Sequence, residues 1–483
     1  MDRNVVTRFA PSPTGFMHIG SVRTALFAYL FARQHAGAFI LRIEDTDKER
    51  EVSGSTTHIQ ESLSWLGLTY DHGPDAPGPF GSCIQSERLD SYHAYAQRLI
   101  ECGHAYADPR TSEEIAALKA AATSAEQPFF FRDHRPSDPP TWDGSQPLRF
   151  KLPAVKRYTW HDAVRGELTA GEETLDDLIL IKSDGYPTYN FAHIVDDHEM
   201  GVTHVMRGDE FISSMPKFLS LYEALELPLP VFATLPPILR PDRSKKLGKR
   251  DGAKDILEYR TDGYLPEALV NFLALTGWNP GTDEEIFTQT ELIERFSLSQ
   301  IQRAGAVFNE EKLRWMNGEH LKRRSTAEQV AYVRNALTEC CGDLPQFSPE
   351  QAERLTPTVL ERSRTTAEIR EAAAAGEYDF AFQTPEYERE LLRFKQDADV
   401  TAAGPRLSHV IHLLEDTDFS TPEAIKAALW PYAEEEGRGA VLWPTRVALT
   451  GRERSPDPFT VAYVIGQTEA LRRLKTACAK IGG

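Results

Sequence analysis

The 483-residue sequence predicts an α/β protein built on a parallel sheet, followed by a largely helical C-terminal part. Three observations carry this. Strand, turn, helix and strand patterns follow one another within the first 45 residues, the rhythm of a parallel sheet. The alternation breaks between residue 85 and about 190, as an inserted domain would make it break. From about residue 265 to the end, apolar positions recur with helical spacing.

The first strand is Asn4 to Ala10, broken by Pro11, Pro13 and Gly15. Val22, Leu26 and Leu30 then repeat with helical period, so the turn opens a helix. A helix start offers unpaired backbone N–H groups and the positive end of the dipole, a natural seat for phosphate. Gly15 and Gly20 have the spacing of a Walker A loop, but Ser21-Val22 stands where Lys-Ser/Thr is required. Taken alone, this stretch is equally an ordinary strand-to-helix turn with a solvated His18.

Ala38 to Ile43 is an apolar run of strand length ending in Glu44-Asp45-Thr46-Asp47. Ligands of parallel sheets sit beyond the carboxyl ends of the strands, so this cluster faces the same crevice as His18. A capping turn before a helix from Ser55 to Leu66 is the other explanation, stronger for Asp45 and Asp47 than for Glu44. Within 85–190 the sequence reads as an Ala-rich helix (Glu113 to Ala122), a Pro/Asp-rich stretch (Arg135 to Pro147) and short β-like runs. Cys102-Gly103-His104 has no second ligand pair at metal-binding spacing. Sheet pattern is then expected at Thr188 to Asp197 and at His204 to Glu210, both ending in charged residues, which either face a functional crevice from strand ends or, for Asp196, Asp197 and Arg207, form surface ion pairs.

Arg240 to Gly252 is a basic, glycine-containing loop. It is a solvated face, a nucleic-acid contact, or a loop that delivers ammonium groups to a triphosphate and so supplies the cation missing from the Gly15–Gly20 turn. Leu265 to Leu273 and Thr421 to Leu429 read as helices with proline in the first turn. Basic clusters recur at Lys322-Arg323-Arg324 and at Arg472-Arg473-Lys475.

The whole-chain quantities bound the rest. Length suggests roughly three domains. A net charge of −18 means that any nucleic acid must be met by local basic surface. Five scattered cysteines without a Cys-x-x-Cys suggest reduced thiols, and no apolar run has transmembrane length, so a cytoplasmic protein with no membrane partner is expected.

Arg8 to Gly15 with His18-Ile19-Gly20, Arg42 to Asp47, Pro187 to Asn190, Val195 to His198, His204 to Gly208 and Lys246-Leu247-Gly248-Lys249-Arg250 together resemble the ordered motifs of bacterial glutamyl-tRNA synthetases. Pro444 to Gly451 and Val464-Ile465-Gly466 are similar to that family's anticodon-binding part, so the resemblance spans essentially the full length. It implies a class I enzyme with a Rossmann-type catalytic domain in two halves, 1–84 and 191–240, around an acceptor-stem-binding α+β insertion, 85–190. A stem-contact region with the signature loop, 241–325, and two helical anticodon-binding subdomains, 326–380 and 381–483, would follow.

The resemblance implies a glutamate–tRNA ligase that makes glutamyl-adenylate from L-glutamate and ATP with Mg2+, then charges tRNA(Glu), with tRNA needed for productive activation; a monomer is expected. His18, Gly20, Lys246, Lys249 and Arg250 would serve ATP, with His18, Lys246 and Lys249 acting in catalysis. Arg8 with Tyr189 would hold the glutamate side-chain carboxylate, Arg207 the α-carboxylate, and Ser12 with Glu44 the amino group. Three departures stand out: Gly248 where the family usually has serine, Ser21 where the first motif often has histidine, and Ala107-Asp108-Pro109 after His104-Ala105-Tyr106, so no structural zinc is expected. Competing readings are a non-discriminating enzyme that also charges tRNA(Gln), for which Arg362 and Arg364 are candidates to read the anticodon, and an inactive RNA-binding paralogue. A stand-alone tRNA-queuosine glutamyl transferase is disfavoured by the long C-terminal extension.

Overall fold

The computed structural model describes residues 4–248 and 254–482. It divides into two compact units: Met1–Arg260 with Pro266–Leu313, and Thr261–Leu265 with Arg314–Gly483.

In the first unit, β1 (Val6–Phe9) leads through a turn into α1 (Ile19–Gln34), then β2 (Ala38–Leu41) and α2 (Ser55–Trp65). Next come α3 (Leu89–Glu101), β3 (Ala105–Ala107), α4 (Ser112–Ser124), β4 (Leu148–Phe150), β5 (Tyr158–Asp162), β6 (Gly166–Ala170) and β7 (Ile179–Ile181). They are followed by α5 (Tyr189–Glu199), β8 (His204–Gly208), α6 (Met215–Ala224), β9 (Val231–Leu235), β10 (Ile238–Leu239), α7 (Ile256–Thr261), α8 (Pro266–Leu275), α9 (Gln289–Arg295) and β11 (Ala306–Val307).

The main sheet has six strands in the order β2-β1-β8-β9-β5-β6, with β2, β1, β8, β9 and β5 parallel and β6 antiparallel at one edge. Because β1 is flanked by β2 on one side and β8 on the other, the strand order reverses there, and a crevice opens beyond the carboxyl ends of β1 and β8. Helix α1 is buried along nearly its whole length, from Ile19 to Ala32, which is why its apolar stripe was readable only in part. Thr7 Oγ1 donates to the Ala28 carbonyl at 2.8 Å and ties β1 to α1.

Two sequence expectations change here. Thr188–Asp197, expected as a strand, is the N-cap and most of α5. Phe191 to Asp197 are buried on every side, so no alternation of apolar and polar faces was left to reveal the helical period. Within residues 85–190, β3, β4 and β7 form their own three-stranded antiparallel sheet, while the β5–β6 hairpin extends the main sheet.

The second unit is helical: Thr326–Cys341, Pro349–Arg362, Thr366–Ala374 and Asp379–Phe382, then Ala403–Glu415, Pro422–Glu436, Arg438–Thr450, Pro458–Ile465 and Gln467–Gly482. One apolar core runs from Val333 to Ile481. Arg473, read from sequence as part of a basic surface cluster, is 2% exposed. It donates to the carbonyls of Phe380, Leu449 and Gln383 at 2.7, 2.6 and 2.8 Å and pairs with Glu469 at 2.7 Å. It satisfies carbonyls at helix ends inside the helical core instead of presenting charge to a partner.

Candidate active site

A cavity of about 400 Å³ opens at the carboxyl ends of β1, β8 and β9. Arg8, Ser12, His18, Gly20, Glu44, Tyr189, Arg207, Lys246 and Gly248 all line it. Residues separated by more than 200 positions thus meet in one ligand-sized space. Lys249 and Arg250 lie outside the described residues.

The floor of the cavity is the start of α1. His18 is the N-cap, and its Nδ1 accepts from the Gly20 N–H at 3.1 Å. With Nδ1 accepting, the ring proton sits on Nε2, which makes that nitrogen a donor. The sequence reading left the helix-start N–H groups open for phosphate, but the Gly20 group is already capped. A Cβ on Gly20 would lie 3.0 Å from the His18 ring, so glycine is what lets the imidazole fold back over the helix start.

Arg8 and Glu44 line the cavity, each held from behind. Arg8 donates from Nε and Nη2 to Asp197 at 3.1 and 3.3 Å and from Nη1 to the Met206 carbonyl at 3.2 Å. Glu44 Oε1 accepts from Arg42 Nε and Nη2 at 3.3 and 3.0 Å. Burial raises the Glu44 pKa, against the pull of Arg42 and Arg8. A carboxylate kept out of water in this way favours a cationic ligand.

Arg207 is 6% exposed and is carried into the cavity on β8. Its guanidinium lies over the rings of Phe211, Phe218 and Phe232, 5.7, 5.1 and 5.2 Å from their centroids. Its Nη1 is buried with no hydrogen-bond partner among the described residues. Burial lowers its pKa, the signature of a cation lacking a close anion. Tyr189 stacks on Phe211 and His193, and burial pushes its phenol up to about 12, so it remains an O–H donor. His193 is fully buried behind it; burial and then Arg207 push its pKa down to about 3.

At the mouth, Lys246 pairs with Glu210 at 2.9 Å, both about half exposed. Asp45 and Asp47 do not line the cavity. Asp45 accepts from the Ser86 N–H and hydroxyl at 2.8 and 2.5 Å, and Asp47 pairs with the exposed Arg50. Asp196, Asp197 and Arg207 are buried, which removes the reading of them as surface ion pairs. Among the described residues, no group of three His, Cys, Asp or Glu comes together as metal ligands.

Sequence reasoning missed Arg23 and Phe211 as cavity-lining residues and Arg42 behind the wall, and gave Asp197, Asp209 and Glu210 a place facing the crevice without a role. A signal existed for Arg42. Strand period places residues 42 and 44 on one face, so Arg42 next to Glu44 was readable as a pair.

Against known families, residues 4–315 match the model for the catalytic domain of class I tRNA synthetases (E and Q), and residues 325–478 match that of an anticodon binding domain. The chain belongs to the class I glutamyl/glutaminyl-tRNA synthetase family. Within it, the chain is 42% identical to the glutamate–tRNA ligase of Carboxydothermus hydrogenoformans over 97% of this chain and 99% of the relative. It is 39% identical to that of Clostridium botulinum over 100% and 99%. A solved glutamate tRNA ligase of Elizabethkingia meningosepticum, crystallised with its amino acid, superposes with a TM-score of 0.88 at 34% identity over 99% of each chain. The glutamate-tRNA synthetase of Elizabethkingia anophelis gives 0.85, at 34% identity over 99% and 100%. The family-level expectations of the sequence, a parallel-sheet catalytic domain and a helical anticodon-binding part, therefore stand.

Proposed function

We propose that this chain is a glutamate–tRNA ligase that activates L-glutamate with ATP and passes the glutamyl group to the terminal adenosine of tRNA(Glu). The observation that carries the reading is the single cavity in which Arg8, Glu44, Tyr189 and Arg207 meet His18 and Lys246. Glutamate has two carboxylates and one ammonium group. Arg8 with the Tyr189 hydroxyl serves the side-chain carboxylate, Arg207 the α-carboxylate, and Glu44 with Ser12 the ammonium group. Arginine's planar fork suits the carboxylates, and the Nη1 of Arg207, which has no acceptor among the described residues, would gain one from a bound carboxylate.

In the first step the α-carboxylate oxygen attacks the α-phosphorus of ATP, an O–P bond forms, and the bond to the β-phosphate breaks to release pyrophosphate. No protein nucleophile is required, so positioning and charge stabilisation carry the rate. His18 Nε2–H and the helix start meet the phosphates, and Lys246 and Lys249, with Arg250, meet the charge that develops on pyrophosphate. Magnesium enters with the nucleotide as part of the substrate. In the second step a ribose hydroxyl of the terminal adenosine attacks the mixed-anhydride carbonyl, an ester forms and AMP leaves.

The five free cysteines suit a reducing, cytoplasmic setting, and among the described residues no helix is long and apolar enough to cross a membrane. The domain plan is proposed as the sequence implies it, with the segment around β3, β4 and β7 meeting the acceptor stem and the helical unit meeting the anticodon; the working form is proposed to be a monomer. Charging of purified tRNA(Glu) and tRNA(Gln) with labelled glutamate tests the proposal. Esterification of tRNA(Glu) is expected, and none with either acceptor overturns it. Label on both acceptors identifies a non-discriminating enzyme.

A further inference from the structure

Behind the cavity wall, a fully buried relay of opposite charges joins the two groups assigned to the amino acid. Asp197 accepts from Arg8 on one side and from Arg42 Nη1, at 2.7 Å, on the other. Arg42, 0% exposed, gives its remaining edge to Glu44. Arg8 and Glu44 line the cavity, whereas Asp197 and Arg42 do not.

A guanidinium has five N–H groups. Arg8 uses three, on Nε and Nη2 toward Asp197 and on Nη1 toward Met206. One N–H on each Nη is left for a ligand. Both Arg42 bonds to Glu44 land on Oε1, which leaves Oε2 for a cation. Arg8 and Glu44 are opposite charges on one cavity, and without inner partners they would attract each other across the substrate's place. Asp197 and Arg42 satisfy each from behind and keep them apart.

We propose that Asp197 and Arg42 are positioning residues for amino-acid selection: Asp197 fixes the Arg8 edge that receives the side-chain carboxylate and, through Arg42, fixes the Glu44 oxygen that receives the ammonium group. The inference rests on the glutamate reading of the cavity. Because Asp197 and Arg42 hold Arg8 and Glu44 from behind and do not line the cavity, their loss raises the glutamate KM and leaves the ATP KM in place. It also weakens discrimination against glutamine, whose amide presents a donor where the fixed Arg8 edge demands an acceptor.

The test is steady-state ATP–pyrophosphate exchange with tRNA(Glu) on the full chain and on Asp197→Asn, Asp197→Glu, Arg42→Lys and Arg8→Ala. Asp197→Asn is expected to raise the glutamate KM by at least about 30-fold, as loss of one partner of a buried charge pair does, with the ATP KM within about twofold. Asp197→Glu and Arg42→Lys keep the charges but displace the edges; each is expected to raise the glutamate KM about 10-fold and to narrow the glutamate/glutamine ratio. A melting transition measured for each variant separates a misfolded chain from a mispositioned site. If Asp197→Asn does not fold, Asp197→Glu and Arg42→Lys decide. A folded Asp197 variant with glutamate KM within about threefold of the parent, while Arg8→Ala raises it, overturns the positioning role. Failure of every relay variant to fold assigns the relay to stability alone and also overturns it. An unchanged glutamate KM in Arg8→Ala identifies the cavity reading itself as the failure.

Discussion

Replacing Arg207 by methionine should make the free protein more stable and the enzyme worse. The guanidinium is buried, packed over three phenylalanine rings, and its Nη1 has no partner among the described residues. An unsatisfied buried polar group costs about 1–3 kcal/mol, and replacing buried charge by an apolar side chain of similar size is often stabilising. Methionine keeps the length and the ring contacts, so the variant should gain about 1–3 kcal/mol in urea unfolding. When glutamate binds, the same guanidinium acquires a carboxylate, and truncating such a pair costs about 2–5 kcal/mol, or roughly 30- to 4000-fold in glutamate affinity. The two effects have opposite signs, which a general packing defect does not produce. Urea midpoints are read without ligand, and the glutamate KM is read by tRNA-dependent pyrophosphate exchange. A variant destabilised by more than about 1 kcal/mol that keeps its glutamate KM would refute the assignment of Arg207 as a cation waiting for its anion.

Other outcomes follow from the same geometry. His18→Ala should lower kcat by about 100-fold with little change in glutamate KM, if its Nε2–H serves phosphate as proposed; loss of the cap should also cost about 1 kcal/mol in unfolding. Glu210→Gln should free Lys246 from its 2.9 Å partner and lower the ATP KM a few-fold, whereas Lys246→Ala should raise it; equal ATP KM values in both would remove Lys246 from the phosphate site. His193 has a folded pKa of about 3, below its ordinary 6.5, so the unfolded chain takes up a proton that the native state refuses. Its contribution to stability is therefore present above pH 6.5 and lost as pH falls toward 3, and His193→Gln should flatten that part of the stability–pH curve. Binding of tRNA should weaken steeply with salt, because local Lys and Arg side chains must do the work on a chain of net charge −18.

Much of the cavity could be read from the sequence because its groups sit at strand ends and at a strand-to-helix turn, where parallel sheets place ligands. Glu44 and Arg207 were found in this way and His18 from the turn itself, whereas Arg8, Ser12 and Tyr189 came only from the family resemblance. What stayed hidden has physical causes. Helix α5 carries Phe191 to Asp197 buried on all sides, so its apolar character mimicked a strand. Arg473 looked like surface charge because a sequence does not show which arginine turns inward to satisfy carbonyls. The relay through Asp197 joins residues 155 positions apart, a contact that no local pattern contains. The β5–β6 hairpin lies within the stretch that interrupts the alternation, yet pairs with β9 on the main sheet, a register set only by the folded chain.

Whether this cavity joins glutamate to ATP under control of the tRNA is read from glutamate-dependent exchange of labelled pyrophosphate into ATP, measured on the purified chain with no tRNA, with tRNA(Glu) and with tRNA(Gln). Exchange that requires glutamate and appears on addition of tRNA(Glu) is the expected result; no exchange with glutamate under any of the three conditions would contradict it.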